Sequence, residues 1–443
     1  MKQTKFGVVL PIILLSYFMI LLDNSIIFTS TAKIAIDLNL TTQALAWITN
    51  AYALTFGGLL LFAGKLGDVW GRKKLFSVGL LIFSISSLLV GLSMNGPMII
   101  GMRAVQGIGA AILAPTTLAL LMDNYQGSMR TRAIAYYGAT GGLGASFGLV
   151  VGGLIASYAS WRDGFFLNFP LGILMLGLTV KFIRNEAPVA NKLDLAGTIL
   201  SVVGLSGLVY SIDGSVGRLI ALVVAIISLV SLVWHENRAE SPILPLVLFK
   251  NGERTFAYLS RFVYVGFSLA YFFLTPLALQ HAFGFTPLMA AIGFLPETLP
   301  QFITATLLSR LTDRYRNSRI LLLGMLLSLI GISLTSIIGL QRGYWLAIAF
   351  PMVIIGIGQG LVLSPLTVAG VARTNASMSG AASSVVNTIH QIGGSVGLSI
   401  VVALTAGISE PIPSYNMTSQ LMVIMVLVAM IFSVGVAKFS SNN

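Results

Sequence analysis

Apolar residues dominate long stretches of the chain, and the charged residues gather in the short segments between them. A helix needs roughly 20 apolar residues to cross a bilayer core, and run after run meets that length. Breaking the sequence at charged, Gly- or Pro-containing segments predicts fourteen helices. They fall at 8–29, 45–64, 75–94, 97–121, 133–157, 164–183, 195–213, 217–235, 256–280, 287–309, 320–339, 345–370, 378–407 and 418–437. Backbone polar groups in lipid must be paired within their own segment, which a helix achieves. The pattern predicts an all-α integral membrane fold.

Composition narrows the class. The 443 residues are 56% hydrophobic and only 9% charged, with a mean hydropathy of +0.91. Soluble domains carry roughly 25% charged residues, so a soluble enzyme, a disordered scaffold and an ordinary nucleic-acid binder are all excluded. The net charge of +12 is a topology signal instead. Lys33, Arg162, Arg218 and Arg342 lie in the odd-to-even loops, and Arg103 and Arg261 lie inside helices. Every other Lys and Arg sits at or near the termini and the even-to-odd loops. By the positive-inside rule both termini are expected in the cytoplasm, with the protein in the plasma membrane.

Several chemistries drop out. There is no cysteine and there are three histidines, His235, His281 and His390, with no metal-binding spacing, so neither a metal nor a cofactor is expected. No GxxxxGK[ST] phosphate loop occurs, which excludes ATP-driven work by this chain. Lys2 and Lys5 ahead of an apolar run imitate a secretory leader, but no small-residue cleavage site follows, and an uncleaved first span is expected.

A repeat organises the spans. Gly64-Lys-Leu-Gly-Asp-Val-Trp-Gly-Arg-Lys-Lys74 has an echo in Ser309-Arg-Leu-Thr-Asp-Arg-Tyr-Arg-Asn-Ser-Arg319, with Leu66/Leu311 and Asp68/Asp313 identical. Gly107-Ile-Gly109 and Gly356-Ile-Gly358, each followed by a proline (Pro115, Pro365), repeat at nearly the same offset. Both loop copies lie on one side, so the halves run in the same orientation. Parallel repeats are one plan of secondary transporters, with substrate at the midplane between halves. The surplus length accommodates an extra hairpin. The expected domains are a six-helix bundle at 1–190, an inserted transmembrane hairpin at 191–238 and a second six-helix bundle at 239–443.

The Gly64–Lys74 segment resembles the signature loop of the major facilitator superfamily, and Arg103-Ala-Val-Gln-Gly-Ile-Gly-Ala-Ala111 resembles its fourth-helix motif. Leu22-Asp-Asn-Ser25, Gly144 with Gly148-Leu-Val-Val-Gly-Gly153, and Trp161-Arg162 with Asn168-Phe-Pro170 resemble the fourteen-span drug:proton antiporter branch. Ser241-Pro-Ile-Leu-Pro-Leu-Val-Leu-Phe249 and Asn387 with Gln391-Ile-Gly-Gly394 fit the same branch. Leu149 departs from it, standing where the helix-5 motif has proline. The resemblance implies the major facilitator fold, no enzymatic activity and multidrug efflux driven by the proton gradient.

Candidate residues follow from charge placement. Asp23 lies within an apolar span, where an ionised carboxylate is costly and marks a functional group by default; it is a candidate for both proton and substrate binding. Arg103 lies at the same depth, roughly 9 Å below the outer end of its span, so the two are geometrically able to pair; the alternative is that Arg103 bonds backbone carbonyls. Glu297, between Pro296 and Pro300, lies roughly 15 Å into the tenth span and is a candidate second acid for proton coupling and substrate, or else a structural carboxylate. His390 and Gln391 are candidates for the substrate cavity, with polar helix contacts as the alternative.

Gly64, Gly67, Asp68, Gly71 and Arg72 are expected to form a conformational latch. Gly64 and Gly67 would allow a tight turn, and Asp68 would face the N-terminus of the 378–407 span from the other half. Gly144, Gly148, Gly152 and Gly153 are expected to let helices approach closely. The expected function is proton-coupled export of amphipathic, cationic drugs and dyes by a monomer in the lipid bilayer, working by alternating access and without nucleic acid. The alternative is a transporter dedicated to one compound such as a lipid, siderophore or antibiotic.

Overall fold

The computed structural model describes residues 6–184, 193–214, 216–240, 242–374 and 376–441, and among them every regular element is helical. The helices are α1 (Val9–Leu38), α2 (Thr42–Trp70), α3 (Arg72–Gly91), α4 (Gly96–Asn124), α5 (Gly127–Tyr158), α6 (Trp161–Phe182), α7 (Leu195–Asp213) and α8 (Arg218–Glu236). Then come α9 (Gly252–Phe283), α10 (Pro287–Ile292), α11 (Leu295–Thr312), α12 (Asn317–Ile338), α13 (Phe350–Gly370), α14 (Ala376–Thr405) and α15 (Pro411–Ser441). Short polar residues start them by accepting from otherwise unpaired N–H groups. Thr41 accepts from Ala44 N at 3.2 Å, Asn95 from Met98 N at 2.9 Å and Asn251 from Arg254 N at 3.1 Å.

Among the described residues twelve helices are long and apolar enough to cross a membrane, which does not support the expected count of fourteen. The stretches at 133–157 and 287–309 fall outside the twelve. In α5 the described apolar helix is limited to Phe147–Tyr158. The expected tenth span is not continuous: it breaks at Gly293 and Phe294 into α10 and α11, and α11 carries Glu297, Arg310 and two prolines. Pro296 and Pro300 lack N–H groups, so the chain restarts its bonding upstream of them, with Glu297 N donating to Phe294 O at 3.1 Å.

The chain divides into two compact units, 1–202 with 239–243, and 203–238 with 244–443, so that α7 is cut after Val202. In the first unit α1 packs on α5 and α6, α2 on α4, and α3 on α4 and α6. In the second, α9 packs on α14 and α15, α11 on α13, and α12 on α13 and α15. Each pairing in one unit has its counterpart in the other.

The paired glycines show why. A Cβ on Gly107 would come 2.4 Å from the carbonyl oxygen of Tyr52, and one on Gly356 would come 2.1 Å from that of Glu297. Gly109 likewise abuts Phe83 N, and Gly358 abuts Ser328 N, each at 2.7 Å. Both units therefore use a Gly-x-Gly step on one helix to seat it against the backbones of two others. Glu297 occupies in the second unit the place that Tyr52 holds in the first.

The segment expected as a loop at 65–74 is almost wholly helical. α2 runs through Gly64 and Gly67 to Trp70, and Gly71 alone makes the turn, at φ +88°. Polar residues at a helix end do not break it; only the residue with positive φ does. Gly64 and Gly67 are thus not turn residues. Gly71→Ala is expected to cost about 1–3 kcal/mol, because L side chains rarely adopt that conformation. Gly64→Ala, where a Cβ meets nothing within 4 Å, should leave stability equal or slightly raised. Thermal unfolding in detergent checks both, and an unchanged melting temperature for Gly71→Ala would refute the turn's role.

Candidate functional site

Three glycines of α5 bring it onto the α1 turns around Asp23. A Cβ on Gly144 would lie 2.7 Å from Leu21 Cδ1, one on Gly148 would lie 3.3 Å from Leu22 Cα, and one on Gly152 would lie 3.0 Å from Ile26 Cα. Gly153 is buried beside them, and α5 continues unbroken through Leu149. The close approach leaves Asp23 and Arg103 with no exposure at all.

The structure joins these two. Arg103 Nη1 donates to Asp23 Oδ2 in a buried ion pair. Its Nε donates to the carbonyl of Ile48 at 3.2 Å, and its guanidinium lies 4.2 Å from the centre of the Tyr52 ring. The other carboxylate oxygen of Asp23 accepts from Gln106 Nε2 at 2.7 Å and from Asn168 Nδ2 at 3.1 Å. Four helices, α1, α2, α4 and α6, thus supply one closed network. A charged pair removed from water is tolerated only when its remaining donors and acceptors are satisfied, and here the two amides and the ring do most of that work. Arg103 Nη2 stays without a partner among the described residues.

Gln106 was legible, since it lies three residues from Arg103 on the same helix face. Tyr52 and Asn168 carry no such signal, because each comes from a different helix.

In the second unit Glu297 is fully buried in the first turn of α11, and both its carboxyl oxygens lack a hydrogen-bond partner among the described residues. Tyr264 and Tyr271 of α9 lie near enough to interact with it electrostatically. Tyr264 OH is already bonded to Ser328 Oγ at 2.7 Å, whereas Tyr271 OH has no partner among the described residues. Gln359 of α13 receives Ser268 Oγ and Gln301 Nε2, each at 3.3 Å, and leaves its own Nε2 unused. The buried end of α11 is therefore polar, desolvated and incompletely bonded. None of these companions of Glu297 is marked by sequence spacing.

His390 does not meet Glu297. Its Nδ1 lies 3.2 Å from Arg261 Nη2, while the adjacent Gln391 is half-buried and makes no hydrogen bond to Glu297 among the described residues. At the end of α2, Asp68 accepts from Arg72 Nη2 at 3.1 Å, and Arg72 also binds Asp123 of α4. Asp68 therefore has a partner within its own unit. Lys65 donates to the carbonyl of Pro242 at 2.8 Å, tying the 239–243 segment to the first unit.

A duplicated, all-helical chain that buries a bonded ion pair among apolar helices has the build of a multi-pass membrane transporter, and not of an enzyme. The chain belongs to the Major Facilitator Superfamily, whose family model matches residues 13–398. It is 30% identical to the "Cephamycin export protein CmcT" of Amycolatopsis lactamdurans, over 88% of this chain and 83% of that protein. It is 31% identical to the "Puromycin resistance protein pur8" of Streptomyces alboniger, over 90% and 81%. The "Multidrug transporter protein MdtP" of Bacillus subtilis is 29% identical, over 91% and 76%. Among solved structures, the POT family transporter PepTSo shares the fold with a TM-score of 0.73 at 13% identity, covering 99% of this chain and 98% of that one.

Proposed function

We propose that the protein is a proton-coupled exporter of amphipathic, cationic drugs and dyes, of the fourteen-span branch, with both termini in the cytoplasm. The Asp23–Arg103 pair carries this reading. Its carboxylate is a single anionic site that a proton and a cationic substrate would contest, so that each excludes the other. The differential affinity of the two ligands for two facing states then biases the conformational equilibrium, which suffices for exchange. The relatives named for export or resistance support efflux as the direction. The two spans beyond the twelve would be α5 and the broken α10–α11 pair, whose glycines and prolines lower their apolar content without shortening their reach. Proton release from purified protein on adding a lipophilic cation such as ethidium tests the reading; saturable uptake of the cation with no proton release would sink it.

A second reading, export of one dedicated compound, is favoured by the single-antibiotic names of two relatives. A panel of unrelated cations separates the two, since a dedicated exporter responds to one structure only.

Glu297 extends the reading. Both of its carboxyl oxygens lack a hydrogen-bond partner among the described residues, which leaves them available to a positive charge on the substrate. Glu297→Gln is expected to reduce transport of a dication about tenfold more than that of a matched monocation, since only the dication has a second charge to lose. Equal losses for both would dismiss the charge-matching role.

A further inference from the structure

The second unit buries a positive charge that has no countercharge. Arg261 of α9 is 6% exposed, and a guanidinium stays protonated in proteins. Its Nη1 donates to the carbonyl of Leu363 at 3.2 Å and to Thr367 Oγ1 at 2.8 Å, both on α13. Its Nη2 meets His390 Nδ1 of α14 at 3.2 Å. All three partners are neutral, and its Nε is buried with no partner among the described residues. Among those residues no carboxylate forms an ion pair with it.

Glu297 does not fill that role. Both of its carboxyl oxygens lack a hydrogen-bond partner among the described residues, and it forms no ion pair with Arg261 there.

The hydrogen bond to His390 fixes that ring. A guanidinium can only donate, so Nδ1 must accept, and the ring is neutral with its proton on Nε2. The ring is half-buried, and Nε2 makes no hydrogen bond among the described residues. Helices α9 and α14 therefore hold two unused N–H donors and one whole positive charge. Arg103, in the first unit, shows the contrast: there the same side chain has a carboxylate, and the site is closed. An uncompensated charge among membrane-spanning helices is expensive to maintain.

We propose that Arg261 and His390, with Thr367 holding the guanidinium in place while its own hydroxyl donates to the Leu363 carbonyl at 2.9 Å, form a recognition site for the carboxylate of an amphipathic substrate, so that the protein accepts anions and zwitterions as well as cations. The inference rests on the transport reading above and widens its substrate class. A carboxylate supplies two acceptor oxygens to the planar, forked donors of an arginine and one full negative charge to balance it.

The test uses the full chain purified in detergent, with an aryl-carboxylate dye, its methyl ester and ethidium as probes, read by equilibrium binding and by melting temperature. The carboxylate should bind saturably and raise the melting temperature, with the ester at least tenfold weaker. Arg261→Gln should weaken carboxylate binding about tenfold or more while leaving ethidium binding unchanged, His390→Phe should weaken carboxylate binding more than ethidium binding, and Arg261→Lys should retain part of the carboxylate binding. If Arg261→Gln fails to fold, Arg261→Lys and His390→Phe carry the comparison. Equal binding of acid and ester, unchanged carboxylate binding in the variants, or equal loss of both dyes would each overturn the site. Displacement of the dye by chloride or acetate at the dye's own concentration would assign the charge to a small ion and overturn the substrate role. Absence of carboxylate binding beside normal ethidium binding overturns this inference alone; absence of both overturns the transport reading with it.

Discussion

Asp23→Asn is expected to abolish export driven by a pH gradient, together with proton release on substrate addition, while the protein still folds. The first half follows from chemistry: an amide neither takes up a proton in the working pH range nor offers a charge to a cation. The second half follows from the bonds that survive. Arg103 would keep the Ile48 carbonyl, the Gln106 amide oxygen at 2.8 Å and the Tyr52 ring, and the new amide can still accept from Gln106 and Asn168. A ring beneath a desolvated cation contributes about 2 kcal/mol. Proteoliposomes with an imposed pH gradient and a trapped pH dye make the measurement. The expected fall is at least a hundredfold, to the rate of empty liposomes. Export retained by a well-folded Asp23→Asn protein would remove Asp23 from proton coupling and move attention to Glu297.

Arg103→Ala should behave differently, losing stability as well as coupling. Removing one partner of a buried ion pair costs about 3–5 kcal/mol, because the other charge is left uncompensated. Asp23 would retain two amide donors but no positive charge, and truncation would also open a cavity beside Tyr52. The double variant Asp23→Asn/Arg103→Ala should be less destabilised than the sum of the single changes, with a coupling of about 1–3 kcal/mol. Melting temperatures of the four proteins in one detergent decide it. Strict additivity would show that the two side chains are neighbours without energetic coupling.

What the sequence made legible, and what it did not, divides along physical lines. The length of an apolar run is a local property, and most helices were read from it correctly; the pairing of Asp23 with Arg103 followed from equal depth in two spans and from the cost of leaving either charge unpaired. Pro296 and Pro300, which lack N–H groups, signalled an interrupted tenth span, but the place of the break at Gly293–Phe294 escaped because the residues around it are apolar. The 65–74 segment was read as a loop because charged residues and glycines usually mark one; helix geometry persisted there until Gly71 changed the sign of φ. Tyr52, Tyr271, Gln359 and Thr367 gave no warning, since nothing along the chain says which helices will pack together; Asn168 stood in a sequence motif, but its partner Asp23 could not be read from it. The repeated glycines did announce such contacts, though not the residues they would bring together.

The chain contains no cysteine, and Gly64 lies on α2 one turn before Asp68 with open space where a side chain would begin. Together these make the natural sequence a ready background for a spectroscopic reporter. A single thiol placed by Gly64→Cys would be the only one in the sequence, its Cβ would meet nothing within 4 Å, and it would carry a nitroxide or fluorophore. Its labelling rate, compared with and without substrate and at two pH values, would follow the surroundings of that helix turn as the transporter works, with no need to strip out other thiols first.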